Sequence, residues 1–342
     1  MALANRVLPT GKLPLEMLQK LLECCKSADP RVVVGARVGE DAAVIDFGDR
    51  YLVAKSDPIT FATDRIGWYA VHVNANDIAT RGAAPRWMLV TLLLPEGEAT
   101  FAQAQGIMAQ VAAASRSLGI GVVGGHTEVT YGLDRPIVVG HMLGEVGKDQ
   151  LITTGGALVG DAVVLAGAVA VEGTALIARE FGSQARARGV DEETLAAARA
   201  CLDDPGISVV RAAQLAVQTV RVHAMHDPTE GGLATGLHEL AWASGTGLRV
   251  DGDTIPILPA CRRLCEAFGL DPLGLIASGA LLVAVAPGDV AALGRTYSEA
   301  GITWARIAEV RPAAEGVCLV RGGREVRLPR FDRDEVARLF GA

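Results

Sequence analysis

Leu15, Leu18, Leu22 and Cys25 recur at helical spacing, which predicts an amphipathic N-terminal helix ahead of the first strand signals. Short apolar runs at 32–34, 43–47 and 51–54 predict strands, the last two joined as a hairpin across Gly48-Asp49. The longer periodic stretch at 66–81 predicts a helix, closed by Gly82 and followed by Pro85. A buried strand at 87–94, an Ala-rich helix at 98–118 and strands at 120–123 and 136–146 complete a first α/β pattern. The cluster Thr153-Thr154-Gly155-Gly156, followed by Gly160-Asp161, marks a break. Beyond it the pattern restarts, with strands at 162–166, 222–225, 247–250, 280–286 and 303–310. Helices at 173–181, 191–201, 208–219, 230–243, 259–268 and 289–300 are interleaved with them. The expected organisation is a helical extension at 1–30, one α/β domain at 31–150, a second at 155–315, and an Arg-rich tail at 316–342.

Composition narrows the function classes. The 342 residues are 50% hydrophobic and 21% charged, which excludes a disordered chain and a disulfide scaffold. With 32 Lys and Arg against 39 Asp and Glu, the net charge of −7 gives no attraction to nucleic acid or to anionic lipid, so neither partner is expected. The apolar runs at 163–171 and 281–286 fall short of the ~20 residues that span a bilayer. The segment 1–6 lacks the features of a signal peptide, so a cytoplasmic address is expected. None of the six cysteines stands in a CxxC, and they read as buried thiols.

The sequence has no P-loop and no nucleophile elbow, and no GxGxxG opens a helix after a strand; acidic residues in or beside small-residue turns stand out instead. Gly39-Glu40-Asp41-Ala42-Ala43 lies between two strands, where backbone amides and carboxylates can approach a ligand, although a plain polar turn has the same composition. Lys55-Ser56-Asp57-Pro58 follows a strand and also reads as a turn opening. Asn74-Ala75-Asn76-Asp77 sits within a helical pattern, where two Asn and an Asp cost helix stability that function would have to justify. Gly124-Gly125-His126-Thr127-Glu128 reads as a turn after a strand, suited to a phosphate or metal or to neither. In Asp227-Pro228-Thr229-Glu230-Gly231-Gly232, Asp227 predicts an N-cap with Pro228 as the first helical residue, and a helix N-terminus is also an anion site. Oxygen donors without a soft-ligand cluster favour Mg²⁺ over zinc, and the His223/His226 pair lacks a third ligand nearby in sequence.

These segments, in this order from about residue 35 to 310, resemble the superfamily of AIR synthase, formylglycinamidine ribonucleotide amidotransferase, thiamine-monophosphate kinase, selenophosphate synthetase and HypE. Asp227-Pro228-Thr229-Glu230-Gly231-Gly232-Leu233 with Glu239, Ile255-Pro256 and Gly269-Leu270-Asp271-Pro272 looks most like the HypE branch. The resemblance implies a two-domain PurM-like fold of the α/β (α+β) class. Its N-terminal mixed sheet with flanking helices would pair in a homodimer, and a C-terminal α/β domain would follow. It further implies ATP and Mg²⁺ in a cleft between the domains. Asp41, Asp57 and Asp77 would be metal ligands; because His126 stands where the superfamily usually has Asp, Glu or Asn, either Glu128 joins them or one metal site is lost. Gly39, Asp41, Asn76, Gly124, Gly125, Thr127, Gly231 and Gly232 would contact the nucleotide, and Asp57, Asp77 and Asp227 would be catalytic.

The implied activity is ATP- and Mg²⁺-dependent activation of an amide or carboxylate oxygen by phosphoryl transfer, in hydrogenase metallocentre maturation, on a small molecule or a partner protein. A kinase of the thiamine-monophosphate type and a non-catalytic ATP-binding scaffold are the alternatives. HypE proteins carry a modified cysteine at the C-terminus, whereas this sequence reads Phe340-Gly341-Ala342, so self-dehydration in that form is not expected. Cys24 and Cys25 fall on the predicted N-terminal helix, which disfavours the selenophosphate branch.

Overall fold

The computed structural model of the chain describes residues 13, 15–25, 27–60, 64–331 and 333–340. The segment 1–6 used for the leader expectation and the terminal Gly341-Ala342 lie outside the described residues. The chain divides into two compact units. One comprises Ser27–Ala36 and Asp41–Thr153, the other the described residues of Met1–Lys26 with Arg37–Glu40 and Thr154–Ala342.

Among the described residues, the first unit is a six-stranded mixed sheet. Its strands are β1 (Val32–Val34), β2 (Ala43–Asp46), β3 (Arg50–Ile59), β4 (Ala84–Pro95), β5 (Gly121–Thr130) and β6 (Ile137–Gly147), in the order β1-β2-β3-β6-β4-β5. All neighbours are antiparallel except β4 and β5. The second unit opens with α1 (Leu15–Leu22), whereas α2 (Ile66–Ala79) and α3 (Phe101–Ser117) belong to the first. Almost every residue of α2 is buried, because it lies between α3 and the face of the sheet carrying Val53, Met88, Val90, Val138 and Met142. The buried and half-buried residues of β6 alternate strictly, so the sheet has one covered face and one more open face.

The second unit holds β7 (Ala162–Ala166), α4 (Val171–Glu180), α5 (Gly182–Ala187), α6 (Glu192–Ala200) and α7 (Val210–Thr219). There follow β8 (Val222–His226), α8 (Gly232–Ser244), β9 (Gly247–Asp251), α9 (Pro259–Phe268), β10 (Leu281–Val285), α10 (Val290–Glu299), β11 (Trp304–Arg311), β12 (Val317–Arg321) and β13 (Arg324–Arg327). The strand order is β13-β12-β9-β11-β7-β10-β8. The all-apolar sequences of β7 and β10 match their complete burial.

Four expectations are corrected. Gly124–Glu128 is not a turn: β4 is long enough to pair β5 in parallel as far as Thr130, and the glycines serve that pairing. At Gly125, φ is +153° and a Cβ would lie 1.9 Å from the carbonyl oxygen of Val90. Lys55–Pro58 is likewise strand, since β6 pairs β3 through Ile59. There β2 has already ended opposite Ala54, so Pro58 has a neighbouring strand on one side only. Helix α8 does not start at Pro228: Gly231 and Gly232 hold left-handed φ of 79° and 69°, which keeps 227–230 in a loop. Finally, the Arg-rich tail contains the β12–β13 hairpin and buries Asp334 and Glu335.

Candidate functional site

Two candidate segments take shape, one in each unit. In the first unit, the period-2 alternation of β3 puts Val53, Lys55, Asp57 and Ile59 on the face beneath α2. Asn74 of α2 donates from Nδ2 to the Ala70 carbonyl at 2.8 Å and to the Asp57 carbonyl at 3.3 Å, which ties the helix to the strand next to the acidic residue. One turn further, Asp77 brings its carboxylate to Lys55: Nζ lies 3.1 Å from Asp77 Oδ2 and 3.5 Å from Asp57 Oδ2. Asn76 is fully buried on the same helix. The polar run that is costly within a helix therefore has two uses, one fastening α2 and one presenting a carboxylate.

The third carboxylate enters ahead of β2. Asp41 Oδ2 accepts from Arg81 Nη2 at 3.0 Å and from Thr80 Oγ1 at 3.3 Å, both just beyond the end of α2. Arg81 is fully buried, a state that a guanidinium adopts only with its charge compensated. Burial pushes the Asp77 carboxyl up to about 7, with Asp57 and Asp41 adding repulsion against the pull of Lys55. For Lys55, burial works to lower its pKa, but the carboxylates of Asp77, Asp57 and Asp41 outweigh it and hold the ammonium above its ordinary range. Asp41, Asp57 and Asp77 thus form one electrostatic group around two cations.

Glu128 does not join them. Strand β5 is three positions from β3 in the sheet order, roughly 14 Å at the usual strand spacing. Gly124, Gly125, Thr127 and Glu128 all lie on this exposed edge, where Glu128 Oε2 meets His126 Nε2 at 3.2 Å.

In the second unit, Gly39 takes a left-handed φ of 83° and packs against Ala243 of α8. Asp227 is buried directly after β8. Its neighbour His226 places Nε2 2.8 Å from Glu239 Oε2 on α8, and His223 places Nδ1 2.9 Å from Asp161 Oδ2, so the two histidines serve different carboxylates. The Gly231 and Gly232 amides, expected to face an anion, are engaged within the chain. Gly231 N donates to Asp334 Oδ2 at 2.7 Å and Gly232 N to the Thr229 carbonyl at 3.0 Å.

Residues 39–146 match the AIR synthase related protein, N-terminal domain, and residues 159–320 match the AIR synthase related protein, C-terminal domain. The chain belongs to the AIR synthase related family. Within it, the chain is similar to carbamoyl dehydratase HypE of Cupriavidus necator, with 32% identity over 75% of this chain and 72% of that protein. A crystal structure of hydrogenase maturation protein HypE in complex with ATP is 25% identical at a TM-score of 0.72, covering 90% of this chain and 92% of that one. Thiamine monophosphate kinase from Aquifex aeolicus shares the two-domain PurM-like fold, with 17% identity and a TM-score of 0.66 over 92% of this chain and 98% of that one.

Lys55 takes no role from the sequence pattern alone, and Arg81, Thr80 and Asp334 do not stand out in it. The Lys55-x-Asp57 spacing on a strand was a readable sign of a shared face. Nothing local marks Arg81, whose partner Asp41 is 40 residues away, or Asp334, which is 103 residues from Gly231.

Proposed function

We propose that the chain is an ATP- and Mg²⁺-dependent enzyme of hydrogenase maturation that activates a carboxamide-type oxygen by phosphoryl transfer. The observation that carries this reading is the group of Asp41, Asp57 and Asp77 around Lys55 and Arg81, on a chain related to carbamoyl dehydratase HypE. In the reaction, the substrate oxygen attacks the γ-phosphorus of ATP and the bond to ADP breaks, turning a poor leaving group into a phosphate ester.

The donor set fits Mg²⁺: three carboxylates offer hard oxygens, and Lys55 and Arg81 are the two cations set against them. Asp41, Asp57 and Asp77 would hold the ion, which would neutralise phosphate charge during transfer. Lys55, 3.1 Å from Asp77 and 3.5 Å from Asp57, partly neutralises both carboxylates, and Arg81 fixes Asp41. Asp227 is the proposed catalytic carboxylate of the second unit.

The open face of the first sheet supports a homodimer. Leu89, Leu93, Ile137, Val139 and Leu143 are half-buried there, and β5 presents ten residues along an exposed edge. Light scattering is expected to give twice the chain mass, and a monomer mass at micromolar concentration would exclude the dimer. No described helix is long and apolar enough to cross a membrane.

Thermal unfolding with ATP, with Mg²⁺ and with both tests the main reading. A ligand at 100 times its Kd stabilises the folded state by about 2.7 kcal/mol. The midpoint is expected to rise with both together, and to stay put in Asp77→Asn. An unchanged wild-type midpoint at millimolar Mg-ATP would overturn the proposal.

A further inference from the structure

The chain's last described residues return to the loop that carries Asp227. Asp334 is 4% exposed, and its carboxylate is met by three backbone donors. Oδ2 accepts from Gly231 N at 2.7 Å, and Oδ1 accepts from Val336 N at 2.8 Å and from Ile276 N at 3.3 Å. Around it the backbone is cross-tied: Ala277 N donates to the Thr229 carbonyl at 3.2 Å and Glu335 N to the Gly274 carbonyl at 3.1 Å. On the far side of this segment, Glu335 Oε2 accepts from Asp271 N at 2.9 Å. The loops 227–232 and 271–277 and the segment 334–338 thus meet at one carboxylate.

The need for an outside acceptor arises locally. The left-handed Gly231 at the N-cap of α8 brings no side-chain cap, and Gly232 has no room for a Cβ, which would lie 2.4 Å from the Leu273 carbonyl. A neutral hydroxyl or amide would satisfy these amides without burying a charge. A carboxylate gives shorter and stronger charge-assisted bonds, at a cost in desolvation and in repulsion from the nearby Glu230. So costly a fastening is expected where the geometry of the loop matters more than the stability of the fold.

We propose that Asp334 is a positioning residue for Asp227, its carboxylate clamping the 227–232 loop to the 271–277 loop so that the Asp227 carboxyl is held in one place. This rests on the reading that Asp227 serves the Mg-ATP reaction.

The test compares wild type, Asp334→Asn and, as a control on an exposed side chain outside these loops, Arg330→Gln. Two quantities are read: backbone amide exchange over 227–232 without nucleotide, and ADP formation from Mg-ATP, with the folded fraction counted by nucleotide-binding stoichiometry. Asp334→Asn is expected to speed exchange across 227–232. It is also expected to lower kcat by roughly tenfold or more while leaving KM within about twofold, because a displaced catalytic group affects the chemical step. Arg330→Gln should change neither. Unchanged exchange, or a kcat within twofold of wild type, would overturn the role of Asp334. If Asp334→Asn does not fold, Asp334→Ser takes its place, and failure of both to fold would make Asp334 part of the structural frame and overturn the positioning role. A wild type that binds no Mg-ATP would sink the proposed function and this inference with it. A wild type that turns over alongside an equally active Asp334→Asn would sink the inference alone.

Discussion

Asp77 and Asp334 are both buried carboxylates whose surroundings push them up to about 7, but their partners differ in kind. Asp77 faces an ammonium on a flexible stem, with two further carboxylates close enough to compete for it. Asp334 is met by three backbone amides and has no cation against it in the described structure. A side-chain cation can move aside when another cation arrives, whereas backbone amides cannot leave without unfolding a loop. The partner of Asp77 can therefore be exchanged without disturbing the backbone, whereas the partners of Asp334 cannot. Arg81 marks the fixed end of the first arrangement, since its guanidinium is fully buried while Lys55 keeps 21% of its side chain exposed.

This contrast breaks most readily at Arg81. Arg81→Met removes a fully buried cation and leaves Asp41 without its guanidinium, a loss expected to cost about 3–5 kcal/mol. Urea unfolding would read it directly. A cost below about 1 kcal/mol would show that Asp41 is not held by this pair. Lys55→Met acts on the exchangeable partner and, with partial exposure, should cost less, about 2 kcal/mol in chelator. Millimolar Mg²⁺ is expected to restore part of that loss, and to stabilise Lys55→Met more than wild type. Equal Mg²⁺ responses would mean that Lys55 and the ion do not compete for the same carboxylates.

The amide-held carboxyl is tested by pH. Burial raises the folded-state pKa of Asp334 above its ordinary 3.8, so the folded chain holds this proton more tightly than the unfolded chain. The resulting stability is fully present below about pH 4 and is lost as pH rises through about 7. Asp77 titrates in the same window, so wild type alone does not separate them. Asp334→Asn removes one of the two. Its melting midpoint is expected to rise relative to wild type between pH 4 and pH 8, and a flat difference across that range would show that Asp334 is not raised.

Sequence carried the fold further than it carried the site. The apolar runs of β7 and β10, the helix at 66–79 and the helix at 259–268 were legible because hydrophobic period and Gly or Pro punctuation agree there. The misread segments were those where glycine and aspartate signal a turn but a neighbouring strand supplies the pairing. Gly124-Gly125 looks like a loop until β4 lies alongside, and the same holds for Asp57-Pro58 beside β6. The two glycines after Glu230 had the opposite effect and delayed a helix whose cap sequence looked complete. Within the site, Asp77 was legible because two Asn and an Asp stand inside a helical pattern, whereas Asp57 was hidden by a proline that signals a turn and took its role from the family resemblance alone. Arg81 and Asp334 were not legible, because what makes them matter is a partner far along the chain. Long-range pairing leaves no local pattern.

The smallest expected effect comes from Glu128, and it bounds the carboxylate group from outside. Its side chain is 52% exposed, with His126 at 3.2 Å as its described partner, on a strand three positions from β3. An exposed pair of this kind is worth about 0–1 kcal/mol, so Glu128→Gln should leave the unfolding free energy within about 0.5 kcal/mol of wild type. In a single copy of the chain, Glu128 is also too far from Asp57 and Asp77 to share an ion with them. Mg-ATP should therefore raise the melting midpoint of a monomeric preparation of Glu128→Gln as much as it raises that of wild type. The informative result is a loss of the Mg-ATP response in Glu128→Gln only where light scattering shows a dimer. That would mean the exposed edge of β5 brings Glu128 to a second copy of the chain, and that the carboxylate group is incomplete within one.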